Sequence, residues 1–198
     1  MSVTVYKKFF TNESLAFINS CIEHSKNTAN LRASYPTNNW HPNIIQDSAP
    51  VLIYDIDDKD TELLNKELKQ KIDFEGNAKF LIYYWPTGSY IPWHDDGHYK
   101  KVGTLYCNGF WHRDWGGAFL YEDGDRILAE YPEHNKLVVQ KDNTWHSTTP
   151  VTKSYYHPID WDGGRMYPEW QFNISPIIRT TVQIFMDKDN NAQNMYNQ

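Results

Sequence analysis

Residues 79–96 read KFLIYYWPTGSYIPWHDD, and the chain changes character there. Phe80, Leu81, Ile82 and Tyr83 form a continuous apolar run, the pattern of a strand buried on both faces, and a strand is predicted at Lys79–Trp85. Pro86-Thr87-Gly88 breaks that run as a turn, and Tyr90–Asp96 resumes it as a second strand. From residue 78 onward no helical period remains. Short β-branched and aromatic runs alternate with turn residues at the spacing of sandwiches and barrels.

Working outward from that stretch, further strands are predicted at Gly103–Cys107, Ala118–Glu122, Arg126–Tyr131, Lys136–Gln140, Trp145–Val151 and Arg179–Met186. Eight strands joined by apt turns give a mainly β fold, a double-stranded β-helix or jelly roll. Upstream, Asn12 is placed to cap a helix whose Leu15, Ile18 and Ile22 share a face, and Asp60 to cap another carrying Leu64, Leu68 and Ile72. These N-terminal helices are packing supports. Residues 27–50, rich in Asn and Pro, form an irregular loop. Residues 152–178 interrupt the last two strands and carry Tyr155, Tyr156, Trp161, Tyr167, Trp170 and Phe172 among Gly and Pro. They are expected as an insertion, either a lid or substrate wall or a layer on the outside of the barrel. The organisation is one domain over 1–198, with helical support over 1–77 and the jelly-roll core over 78–186.

The 198 residues carry 25 acidic and 19 basic side chains, a formal charge of −6, which leaves no basic field for nucleic-acid backbones. No run of 18 apolar residues and no export signal is present, so no membrane partner is expected. Cys21 and Cys107 match no metal or redox spacing and are expected as buried thiols in a reducing, cytoplasmic compartment. Only five basic residues are arginine, which limits the candidates for planar bidentate recognition of an anion.

Two H-x-D pairs occur. His94 and Asp96 sit in strand context, where positions i and i+2 share a face, whereas His112 and Asp114 lie in the turn-like FWHRDWGG. His146, near the start of a later strand, can be returned to the first pair by a rolled sheet. Two histidines and a carboxylate are the donor set of non-haem Fe(II) centres that keep positions open for oxygen and a co-substrate. His98 is cut off from that face by Gly97, while His41, His134 and His157 sit in loop-like segments with no convergent partner. Arg179 opens the apolar run RTTVQIFM, with Thr181 on the same strand face, and a buried arginine needs an anion.

In this order the motifs resemble those of the 2-oxoglutarate- and Fe(II)-dependent oxygenases, in the branch similar to prolyl 4-hydroxylases. YWPTGSYIPWHDD is similar to that branch's tyrosine, turn and H-x-D strand, TLYCN to its next strand and WGGAFLYE to its Gly-Gly strand entry. LVVQKDNTWHSTTPV resembles the segment of the distal histidine, and RTTVQIFM the strand of the co-substrate arginine. The resemblance implies His94, Asp96 and His146 as Fe(II) ligands. It also implies Arg179 as partner of the 2-oxoglutarate distal carboxylate, with hydroxyls from Tyr84, Thr181 and Tyr106 beside it. Ascorbate is an auxiliary expectation. The arginine lies 33 positions after His146, farther than the family pattern sets it, a gap the 152–178 insertion accounts for. Arg165, in DGGRMYPEW, is the rival anchor in a turn-like context. The short chain is similar to minimal members found in bacteria and their phages.

The expected activity is hydroxylation of an unactivated C–H bond, with a prolyl residue of a protein or peptide as the favoured substrate and a small molecule as the other. Two further classes use the same residues. A zinc-dependent jelly-roll hydrolase or isomerase would need the three ligands but not Arg179. A non-catalytic jelly-roll module would use the aromatic insertion to hold sugar or peptide.

Overall fold

The computed structural model describes residues 2–27, 31–34, 49–141, 143–152 and 178–188. Residues 28–30 and 35–48 of the expected 27–50 loop and 153–177 of the insertion, with its six aromatics, lie outside these residues, as do Arg165, His41 and His157, while Arg32–Ser34 of the expected loop form a strand.

Eleven strands are found among the described residues: β1 (Val3–Tyr6), β2 (Arg32–Ser34), β3 (Val51–Asp55), β4 (Lys79–Trp85), β5 (Ile91–His94), β6 (Tyr99–Tyr106), β7 (Phe119–Asp123), β8 (Arg126–Glu130), β9 (Leu137–Lys141), β10 (His146–Thr148) and β11 (Arg179–Lys188). They form a seven-stranded sheet in the order β1-β9-β6-β11-β4-β3-β2 and a four-stranded sheet in the order β5-β10-β7-β8. Every pairing is antiparallel. The eight expected strands are β4 to β11, the two sheets of the jelly roll. Three strands not expected, β1, β2 and β3, widen the larger sheet.

Two helices, α1 (Asn12–Lys26) and α2 (Glu62–Lys71), cover the outer face of that sheet. Their apolar faces follow the helical period: Ile18 and Ile22 from α1, Leu64 and Leu68 from α2, packed with Phe80, Ile82, Leu105, Val182 and Ile184. The caps differ by one residue from expectation. Thr11, not Asn12, caps α1 by accepting from the Ser14 N–H, and Thr11 and Ser14 are both held by the Glu67 carboxylate of α2. Asp60 ends a short 3-10 turn (Asp58–Asp60) capped by Asp57, and Thr61 precedes α2.

Strand alternation sorts the larger sheet into two faces. In β4, Phe80, Ile82 and Tyr84 join the core under the helices, whereas Leu81 and Trp85 join a second apolar cluster between the sheets with Val51, Ile53, Ile91 and Val151. Arg179, Thr181 and Gln183 of β11 stand opposite Trp85, Tyr83 and Leu81, and so share the inner face with them. A third cluster, of Val3, Tyr106, Phe119, Tyr121 and Val138, closes the interior towards β1.

Candidate active site

Cross-strand pairing assembles the site. His94 ends β5 and His146 begins β10, and the two are direct partners in the antiparallel ladder, with ring centres 4.1 Å apart. Asp96 joins them from the turn beyond β5. The strand is shorter than expected, so the carboxylate is delivered by that turn and not by strand alternation. His94 Nε2 lies 3.8 Å from Asp96 Oδ1, and His146 Nε2 lies 3.6 Å from Asp96 Oδ2. One donor atom from each of the three residues fits within 4.8 Å of the others.

Both rings are oriented from behind. His94 Nδ1 is 2.7 Å from the Pro92 carbonyl and His146 Nδ1 is 2.8 Å from the Thr144 carbonyl. A carbonyl only accepts, so each Nδ1 carries the proton and each Nε2 turns its lone pair to the cluster. Burial, reinforced by His94, holds the His146 imidazole down at about 3, so it is neutral and ready to ligate near neutral pH. Burial raises the Asp96 carboxyl, while His94 and the Gln140 amide oppose that rise. Two imidazole nitrogens and one carboxylate oxygen, preoriented and largely buried, fit a divalent transition metal.

The second half of the site is built around Arg179, which is 0% exposed. Its guanidinium carbon lies 4.7 Å from the Trp85 ring centre and 5.2 Å from that of Tyr106. Nε, Nη1, Nη2 and the Tyr106 hydroxyl have no hydrogen-bond partner among the described residues. Burying a cation with no carboxylate beside it among the described residues is expensive, and burial pushes the Arg179 pKa down, opposed only by the neighbouring Tyr106. Thr181 adds a third donor. Its Oγ accepts from Trp85 Nε1 at 3.0 Å and from Gln183 Nε2 at 3.2 Å, so its own O–H remains to be given. An anion with several acceptor oxygens fits this cradle. Gly117, at φ +67°, makes it possible: a Cβ there would stand 2.6 Å from Arg179 Cδ.

Tyr84 is a correction. Its side chain is on the outer face, where its hydroxyl lies 2.6 Å from Ser25 Oγ and donates to the Ile22 carbonyl at 3.0 Å. The inner-face neighbours are Tyr83 and Trp85, which line the pocket shared with His94, Asp96 and His146. The expectation missed by one residue because a strand buried on both faces has no polar alternation to fix its parity. Gln140 and Gln183 were also missed. Their signal was a polar residue inside an apolar strand, in LVVQK and in RTTVQIFM. The second H-x-D pair, His112 and Asp114, lies on an exposed 3-10 turn away from the cluster. Cys21 and Cys107 are free and only partly buried.

No family model and no curated protein matches the chain. Among solved structures, a prolyl-4-hydroxylase of Pseudomonas putida matches with a TM-score of 0.62 at 14% identity, over 95% of this chain and 93% of that one. The fold is that of the prolyl 4-hydroxylase-like 2-oxoglutarate and Fe(II) oxygenases. A prolyl hydroxylase from Trichoplax adhaerens, solved with a hypoxia inducible factor peptide, matches at 0.67 and 10% identity over 94% and 84%. A 2OG-Fe(II) oxygenase family member from Burkholderia pseudomallei matches at 0.59 and 12% over 96% and 86%. In a prolyl 4-hydroxylase-like fold both halves of the site lie inside the jelly roll, each side chain placed by an inner-face strand position or the turn after β5. Among the described residues no helix is long and apolar enough to cross a membrane.

Proposed function

We propose that this chain is a 2-oxoglutarate- and Fe(II)-dependent dioxygenase that hydroxylates an unactivated C–H bond, with a prolyl residue of a protein or peptide as its substrate. The observation that carries the proposal is Arg179, a fully buried guanidinium whose nitrogens lack hydrogen-bond partners among the described residues, in the same barrel as a two-histidine, one-carboxylate cluster. A zinc hydrolase has no use for that arginine, and a non-catalytic binding module has no use for the two-histidine, one-carboxylate cluster.

His94, Asp96 and His146 would hold the metal. When bound, it supplies oxygen activation coupled to conversion of 2-oxoglutarate to succinate and carbon dioxide. Arg179 would pair with the far carboxylate of 2-oxoglutarate through charge-assisted hydrogen bonds, with Tyr106 and Thr181 donating O–H groups to the same oxygens. Trp85 stacks on the guanidinium and donates to Thr181, which fixes both donors. Ile91, Val102, Phe119 and Phe185 line the pocket and keep water out. The peptide held by the Trichoplax neighbour supports a peptide substrate.

The test is anaerobic. Fe(II)-loaded protein should develop a visible absorption band on adding 2-oxoglutarate, and in air with ascorbate it should release succinate. Peptides from a treated lysate should gain one oxygen on proline. No band at saturating iron overturns the dioxygenase assignment, and oxygen gained only on small molecules overturns the prolyl substrate.

A further inference from the structure

Gln140 stands on the inner face of β9, opposite Val3 of β1 and Val102 of β6, and is 3% exposed. Its carboxamide nitrogen lies 2.6 Å from Asp96 Oδ2 and 3.0 Å from His146 Nε2. Both neighbours are acceptors, one a carboxylate and the other a ring nitrogen whose Nδ1 proton is committed to the Thr144 carbonyl. The donor end of the amide is therefore the end that faces them, with one N–H for each. The amide thus bridges two residues of the cluster, Asp96 and His146.

We propose that Gln140 is a positioning residue for the metal: its amide holds Asp96 by Oδ2, so that the carboxylate ligates through Oδ1 alone. The inference rests on His94, Asp96 and His146 being the metal ligands. Their two kinds of donor respond differently to a metal. His146 Nε2 has one lone pair and must release Gln140 to ligate. Asp96 has two oxygens, so Oδ1, on the His94 side, can be given to the metal while Oδ2 stays on the amide. A carboxylate bound through one oxygen fills one position of an octahedron, whereas one bound through both fills two. Gln140 thereby preserves the number of positions open to the co-substrate and oxygen. Before the metal arrives, the same two N–H groups hold Asp96 and His146 apart at ligating distance.

Cobalt(II) alone is a sufficient probe, because its visible d–d bands report coordination without turnover. Gln140→Met keeps the length of the side chain and removes the donor, and should weaken Co(II) binding by roughly 10- to 100-fold and change the d–d spectrum. Gln140→Glu also removes the donor and sets a second carboxylate against Asp96 Oδ2, and should likewise change the d–d spectrum. Thermal unfolding of the metal-free variants separates this effect from a general loss of folding. Should Gln140→Met not fold, Gln140→Asn takes its place, since its shorter amide cannot reach Asp96. Wild-type affinity and spectrum in the donor-deleted variant overturn the proposal. Failure of the underlying ligand assignment is distinguishable: Co(II) would then bind His94→Ala as tightly as wild type.

Discussion

The two faces of the larger sheet treat their polar groups differently. On the outer face, the Tyr84 hydroxyl is closed into Ser25 and the Ile22 carbonyl of α1, and in the helical layer above it Glu67 of α2 is shared by Thr11 and Ser14. On the inner face, Arg179 and Tyr106 are buried with donors that find no acceptor among the described residues. Both faces are lined by the same strands, and one residue of register separates them. The difference teaches where to look for a ligand: a face whose hydrogen bonds close is structural, and a face that leaves strong donors open is waiting for a partner from outside.

The largest effect that would test this contrast is at the cluster itself. His146→Ala should reduce Fe(II) or Co(II) affinity by at least about 100-fold, measured by metal titration, with the outer-face core intact. Next comes Arg179→Met. It should weaken 2-oxoglutarate binding by roughly 100-fold while leaving metal affinity unchanged. Because it also removes an unpaired buried charge, it should raise the melting temperature of the ligand-free protein. A lower melting temperature would mean that Arg179 has a partner already and that the inner face is closed. A matched pair then sets one face against the other. Tyr106→Phe should weaken 2-oxoglutarate binding about tenfold with unchanged stability, and Tyr84→Phe should cost about 1 kcal/mol of stability with unchanged 2-oxoglutarate affinity. The reverse pattern would exchange the roles of the two faces.

The smallest effect is one of pH. His146 is held at about 3 by burial against its ordinary 6.5, so between those values the unfolded chain takes up a proton that the native protein refuses. Stability from this group is complete above pH 6.5 and falls as the pH drops through the window. Between pH 7 and pH 6 the metal-free protein should lose under about 1 kcal/mol on this account. His146→Leu should flatten the fall, and denaturant titrations of the two proteins would measure it.

Much of this was legible in the sequence where the pattern was strong. The boundaries of β4 were read to the residue, because a β-branched and aromatic run ended in Pro86-Thr87-Gly88. The order of His94, Asp96, His146 and Arg179 along the chain was enough to expect one cluster and one anchor. What was lost came from weak local signals. β1 is only four residues, and its Val3 and Val5 alternation is followed at once by Lys7 and Lys8. β3 lies next to a segment rich in Asn and Pro and was hidden by it. The choice of Tyr84 over Trp85 failed for a different reason: both sides of β4 are buried, so composition carried no parity, and only pairing with β11 determines which side chain meets Arg179. Gln140 needed a three-dimensional neighbour, since a lone glutamine in a strand does not say what it holds.

β5 is four residues long, lies at the edge of its sheet and, among the described residues, pairs with the three-residue β10 alone, across an irregular register. Gly88 and Ser89 are tied to Ala49 and Val151 by backbone hydrogen bonds, so a ladder this brief leaves its weakest hold on the segment from Ile91 through Gly97. A cation gripped by His94 and Asp96 on one side and His146 on the other would rivet that segment to the barrel, closing a loop of chain as a cross-link does. The metal would then have a mechanical duty besides its chemical one. Chelation should open the β5 edge to proteases before the rest of the barrel loosens, so the state of the ion could be followed by nicking in that segment.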